Sequence, residues 1–482
     1  MAPFYIGWSE QDITPESPVS LAGQYYPRIS QGIHSPLFAT VLAIQSGDSH
    51  VIMVSLDLLG IEVDFQKQLC LDLARVLPEI NPQNLILNAI HTHNAPALSS
   101  RPFPGHQEFS GILSVAEYRA FLLKQIKKAI VEAWKKREPG SIASAFGFAR
   151  IGHCRRVLYA DSSAEMYGCT ARPDFVGMEG SEDSGVEMLF TFNAENRPVG
   201  LICNVACPSQ VMEATYWISS DFMGETRKRL KEHFGRDFHT LFQVGAAGDQ
   251  SPRDLTRLFS KEPNFWQEEG VVALGERLFF AVTRAFSDLS EPVSSTPDMR
   301  HIVKVLSLPR RRASNTEYLS AKETVSDILR QSSEEELYQS FCEEVLRNEK
   351  ITGRQGPYDR KGHPFVLFRN ARAVIERFSD QDHHPFFSME LHLLRLGSMV
   401  FVTNPFELFF EFGQRIRARS AAKQTCIVQL CGGTGGYLPT ATAEKAGGYG
   451  GLIVNGQVGS EGGALLVEES LSAIETVWRG NP

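Results

Sequence analysis

The stretch NLILNAIHTHNAP, residues 84–96, decides how the chain is read. An apolar run over 84–90 ends in two histidines separated by one threonine, and Asn94, Ala95 and Pro96 stop it. Side chains alternate faces along a strand, so His91 and His93 are expected to point one way and Thr92 the other. Two imidazoles at a strand end suit an α/β protein, where sites gather at the ends of strands. The alternative is two surface histidines beside a turn.

Outward from this stretch, strand and helix patterns alternate. Residues 38–46 and 50–57 read as strands joined by the turn-forming Gly47-Asp48, and 63–77 as a helix. A helix over 115–136 closes at the breaker Pro139-Gly140. Strand-like segments follow at 142–149, 186–193 and 198–205, then helix 223–234, strand 240–244 and helix 267–289. Residues 389–397 and 399–405 read as strands, 406–420 as a helix, 425–430 and 451–455 as strands, and 461–477 as a helix. This is the pattern of an α/β core. Between 313 and 380 the character changes to a charged helical insertion. Residues 314–350 read as a helical hairpin laid on the surface. Ser314 with Glu317, and Ser333 with Glu336, have the spacing of capping boxes. No internal repeat is visible.

Composition bounds the function. At 482 residues, 43% hydrophobic and 22% charged, the chain is of ordinary globular make-up. A formal charge of −8, with no block of Lys or Arg, argues against nucleic-acid binding. No run of eighteen apolar residues is available to span a bilayer, and the first residues show no secretory signal. Eight cysteines without a CxxC pair suggest reduced thiols, and a cytoplasmic location is expected.

Five segments, each after an expected strand, have the residue types of a site. They are His91-Thr92-His93, the run 203–210 containing Cys203, Cys207 and Gln210, the run GAAGDQSP at 245–252, Asn404-Pro405-Phe406-Glu407, and GGTGGYLP at 432–439. GAAGDQSP also reads as a tight turn capping a helix, and Glu407 as an acid in a helical first turn. GGTGGY lacks the spacing of either nucleotide fingerprint. His383-His384 beside Asp382 reads as an exposed loop at the end of the insertion. Together the five offer His, Cys and Glu as candidate ligands for zinc, with Ser and Tyr as polar groups. Water on such an ion becomes a nucleophile near neutral pH, which suits hydrolysis of amides or esters.

The motifs DITP, IHTHNAP, WISSDFMGE, GAAGDQSP and GGYLPTATAEKAGGY, in this order, resemble the neutral/alkaline (non-lysosomal) ceramidase family from Gly7 to about Tyr449. The resemblance implies one ceramidase-like α/β catalytic domain over 1–482, with mixed β-sheets flanked by helices and the 313–380 helical insertion inside it. It implies a zinc-dependent hydrolase of the amide of N-acylsphingosine. Matched by position, the zinc ligands fall on His91, Glu407 and Tyr437, and His93 becomes the acid/base beside them. Arg155 matches the arginine that binds the scissile carbonyl, Ser251 the serine facing the substrate, and Tyr449 the tyrosine that steadies the oxyanion.

Three departures stand against ceramide itself. The family's second zinc-binding histidine, eleven residues before Ile218, is replaced by Cys207. A thiolate is a sound zinc ligand, though it leaves the ion less Lewis-acidic. The sequence is also read as lacking the family's immunoglobulin-like C-terminal domain and secretory signal, which adds to the expectation of another substrate. The expected substrate is therefore a small molecule, polar or sugar-derived, with Arg354 and Arg360 of the insertion expected to contact it. An ester, lactone or glycosidic bond is the second reading, and a metal-free binding protein on the same scaffold the third.

Overall fold

The computed structural model describes residues 3–99, 111–257, 266–289, 293–352 and 362–479. Three sheets organise them. In the first, Leu85–Ala89, Ser49–Leu56, Phe38–Ser46, Phe4–Asp12 and the short Glu138–Pro139 lie side by side. In the second the order is His239–Val244, Pro198–Val205, Gly185–Phe192, Ser141–Phe148. In the third it is Met299–Pro309, Phe386–Leu396, Met399–Thr403, Gln424–Val428.

Alternation along each strand divides its side chains between two cores. In Phe38–Ser46, Ala39, Val41 and Ala43 pack outward under the helices Val63–Val76 and Val115–Lys135. Leu42 and Ile44 point inward. Inward residues of the other sheets, Leu189, Ile202 and Leu241 from the second and Leu394, Phe401 and Cys426 from the third, meet them in one central core. The outer faces of the second and third sheets are covered by Asp221–Phe234 with Gln267–Ser287, and by Phe410–Arg419 with Ser460–Arg479. Each fully buried Leu, Ile or Phe contributes about 1.5–3 kcal/mol, so a core shared by all three sheets binds them into one unit.

The three sheets repeat one topology although the sequence shows no repeat. Each runs through antiparallel neighbours and then adds a last strand in parallel, reached across a helix. The parallel pairs end level: Leu56 opposite Ala89, Val205 opposite Val244, Thr403 opposite Val428. What recurs is alternation and crossover, which many residue choices satisfy. Hydrogen bonds link the sheets in a ring near these ends. Asn88 Nδ2 donates to Phe242 O at 3.0 Å, Asn204 Nδ2 to Ile427 O at 2.8 Å, and Gly432 N to Leu87 O at 3.1 Å.

Most expected elements are present, with local corrections. The helix expected over 406–420 begins only at Phe410, and Phe406–Leu408 is a strand paired with Gly436–Leu438. Residues expected as a strand at 451–455 form a 3-10 turn, Ile453–Asn455. The strands Phe4–Asp12 and Met299–Pro309 were not expected. In the insertion, the hairpin helices Asn315–Leu329 and Glu334–Thr352 start at the anticipated capping boxes. A third helix, Pro364–Asp380, joins them. The inner side of this unit is aromatic: Phe341, Phe365 and Phe368 pack around Tyr26. Arg354 and Arg360 lie outside the described residues.

Candidate active site

Beyond Ala89 the chain leaves the sheet. Ile90 N still bonds Leu56 O at 3.0 Å, and His91 then turns into the left-handed region at φ 62°. A non-glycine residue held there costs about 1–2 kcal/mol, and such strain gathers at functional sites. His91 and His93 therefore lie in a turn and not on a strand. Their rings meet edge to face, with centroids 5.0 Å apart at 77°.

His91 Nδ1 lies 2.7 Å from Leu59 O. A carbonyl only accepts, so Nδ1 carries the proton, and in the neutral ring Nε2 is a lone pair. Nε2 lies 3.5 Å from Glu407 Oε2, a spacing bridged by a proton when the ring is charged and open to a cation when it is neutral. Glu407 stands on the strand Phe406–Leu408, where its parallel partner is Tyr437, so carboxylate and phenol sit side by side. Arg155, fully buried, closes the group. Its Nη2 donates to Tyr437 Oη at 3.2 Å and to Gly248 O at 2.9 Å, and lies 3.8 Å from Glu407 Oε2. Tyr449 packs on Tyr437 with ring centroids 5.3 Å apart, and its hydroxyl is hydrogen-bonded to that of Tyr25.

His93 belongs to an adjoining network. Gln210 Nε2 donates to its Nε2 at 2.7 Å, while Gln210 Oε1 accepts from Arg155 Nη1 at 3.1 Å. Nδ1 of His93 lies 3.7 Å from Glu213 Oε2. Two glycines make these approaches possible. A Cβ at Gly23, whose φ is +96°, would lie 2.6 Å from the His93 ring; one at Gly248 would lie 2.3 Å from Glu407 O.

Burial sets the proton affinities. It pushes the Glu407 carboxyl up, but His91 in its protonated form, through its charge and hydrogen bond, and then Arg155 hold it below the ordinary carboxylate range. Burial and the neighbouring Glu407 push the Tyr437 phenol well up, against Arg155. Burial also raises Glu213, opposed by Arg253, Arg155 and Arg28.

Two expected residues stand differently. Cys207 is fully buried in the core of the second sheet, its thiol directed at Ile151 O (3.7 Å) and Pro208 O (3.5 Å). Burial, then Asp221, raises that thiol well above its usual range. Among the described residues no three His, Cys, Asp or Glu side chains are grouped to hold a metal, so Cys207 does not join His91 and Glu407. Ser251 pairs with His153 across a short antiparallel ladder, and its hydroxyl accepts Arg253 N at 3.2 Å. In the same segment Asp249 Oδ1 accepts Phe410 N at 2.9 Å, at the start of the helix Phe410–Arg419.

The donors His91 Nε2, Glu407 Oε2 and Tyr437 Oη fit a zinc ion in kind. Bonds of about 2.0–2.2 Å at tetrahedral angles place ligand atoms about 3.4 Å apart, close to the observed spacing of the first two. A lone pair aimed at a carboxylate is stable only with a cation or a proton between them. The Nδ1–H bond to Leu59 is the kind of contact that orients a metal-bound imidazole.

No protein-family model matches the chain, and no curated protein matches its sequence. Solved structures do match. Neutral ceramidase from Pseudomonas aeruginosa superposes with a TM-score of 0.70 at 18% identity, covering 99% of this chain and 75% of that one. A ceramidase complexed with C2 superposes with a TM-score of 0.69 at 16% identity, covering 100% and 76%. The fold is that of neutral ceramidase. On this ceramidase-like scaffold, Gln210, Glu213, Tyr25 and Arg28 complete the site, and none was singled out for a role from sequence. Arg28 donates to Thr215 O at 2.6 Å and also to His93 O, which fixes the histidine turn. The polar run Ser209-Gln210 with Glu213, just past a strand end, was the one available signal. None of the eight cysteines forms a disulfide, and no helix among the described residues is long and apolar enough to cross a membrane.

Proposed function

We propose that this protein is a zinc-dependent hydrolase that cleaves an amide bond in a polar substrate other than ceramide. The observation that carries the reading is His91, held in a strained turn with Nδ1 tied to Leu59 O and Nε2 facing Glu407 at 3.5 Å. His91, Glu407 and Tyr437 would hold the ion. When bound, zinc supplies a water acidic enough to attack near neutral pH and polarises the substrate carbonyl.

The other roles follow from the side chains. Arg155 directs its guanidinium at the space beside Tyr437 and Glu407 and orients the carbonyl oxygen. Tyr449 donates to the oxyanion; a donor of this kind typically lowers the barrier by about 3 kcal/mol. His93 takes a proton at Nε2, where Gln210 now donates, and passes it to the leaving nitrogen while Glu213 steadies Nδ1. Water is added across the C–N bond, giving a carboxylic acid and an amine.

Elemental analysis of protein purified without chelator should give one zinc per chain. Activity should vanish on chelation and return with zinc. A panel of polar amides, esters, lactones, glycosides and a fluorescent ceramide should show amide cleavage. Turnover of ceramide at kcat/KM within about 10⁴–10⁸ M⁻¹s⁻¹ overturns the substrate reading. Metal-free protein with intact ligand binding overturns the hydrolase.

A further inference from the structure

A cavity of about 680 Å³ opens between the insertion and the body of the molecule, within the range of small-molecule sites. Its walls pair apolar groups, Phe365, Phe368 and Ile453, with the arginines Arg369, Arg372 and Arg377. The cavity shares Tyr25, Phe365 and Arg369 with a narrower cleft that also reaches Tyr449. Tyr25 links the two regions directly. The Arg369 guanidinium lies 4.2 Å from its ring centroid, and its hydroxyl is bonded to that of Tyr449.

The charges in this cavity are not balanced evenly. Glu334 and Glu376 are both engaged by Arg372, at 2.8 and 3.0 Å. Asp380 is engaged by Arg310 and His384, each at 2.6 Å. Arg377 is buried and donates to the backbone carbonyls of Arg311 and Gly456 at 2.8 and 3.0 Å. It meets no carboxylate at ion-pair distance among the described residues, and its Nε has no acceptor there. Burial, then Arg310 and Arg311 nearby, pull its proton affinity down to about 10 against the opposing charge of Asp380. A buried cation with two cations and only one carboxylate, itself engaged elsewhere, acting on it is further stabilised by an anion.

We propose that this cavity is a specificity pocket for a substrate carrying an anionic group on a short apolar arm. Arg369 and Arg377 receive the anion, the Phe365–Phe368–Ile453 wall receives the arm, and Tyr25 passes the rest of the molecule toward Tyr449. Guanidinium forks match carboxylate and phosphate alike, so either group fits. This inference rests on the hydrolase reading for its biological meaning, but its test needs no turnover.

The test is calorimetric binding of octanoate, octyl phosphate and octanamide to the full chain and to its His91→Ala variant. Both anions, or one of them, should bind at least tenfold tighter than octanamide in both proteins, the tighter one naming the group. Arg369→Gln should abolish that preference, while Arg369→Lys, which keeps the charge but not the fork, should retain part of it. Equal binding of all three probes, an anion preference unchanged in both Arg369→Gln and Arg377→Gln, or a preference lost in His91→Ala each overturns the proposal. Failure of catalysis alone leaves the binding result standing, and absence of binding leaves the hydrolase standing.

Discussion

The first and second sheets end in the same way and are used differently. Each finishes in a level parallel pair, yet two residues past the last strand the first sheet has His91 at φ 62° and the second has Ala246. The third sheet follows the first, with Leu430 at φ 54° at the equivalent place. In the first sheet the left-handed turn takes the chain out of the strand path and brings an imidazole toward Glu407, which stands on the separate strand pair Phe406–Leu408 and Gly436–Leu438. The second sheet keeps its one cysteine of the expected ligand set folded into its own core. It contributes the orienting groups instead: Gln210, Glu213 and the Gly248 carbonyl that holds Arg155. The lesson is that equal topology places loops, while backbone sign decides which loop presents a side chain.

The largest effect should come from the turn after the first sheet and from the short strand pair that carries Glu407. His91→Ala and Glu407→Ala are each expected to lose zinc and essentially all hydrolysis, read by elemental analysis and turnover. Retention of a full zinc equivalent in either variant breaks the division between the sheets. Next, His93→Ala should keep zinc and lose about 10²–10⁴-fold in kcat. Equal zinc loss in the His91 and His93 variants would show their roles to be misassigned.

Glu213→Gln tests the second sheet as a positioning element, and about a tenfold fall in kcat is expected, below the range for His93 itself. The double variant with His93→Ala should lose no more than His93→Ala alone, since residues acting as a unit are not additive. Additive losses would place Glu213 outside the His93 network. The smallest effect is expected at Cys207. Cys207→Ser should keep zinc stoichiometry and change kcat/KM by no more than a few-fold, with a modest loss of stability from the polar hydroxyl in the core. Loss of zinc would make the thiol a ligand, sharpening the comparison in the opposite sense.

The positions of strands and helices were largely legible, because the periods of 2 and 3.6 are written locally in residues such as Ala39, Val41 and Ala43. The pairing of Glu407 with Tyr437 was legible only through resemblance, since strand 406–408 is three residues long and its sequence continues into a helix. Arg28 gave no local signal and Glu213 only its place in a polar run past a strand end: their roles exist only where the second sheet's loop meets the histidine turn.

By itself, the sequence determined the α/β pattern, the capped helices of the insertion and the set of motifs that end near strand termini, because each depends on neighbours within a few residues. Tertiary structure alone decided that three sheets share one core, that His91 leaves its strand with a positive φ, and that Cys207 packs into a core. It also decided that the charged insertion turns an aromatic face inward. Each of these depends on contacts between segments tens to hundreds of residues apart, where burial and hydrogen-bond closure outweigh local preference.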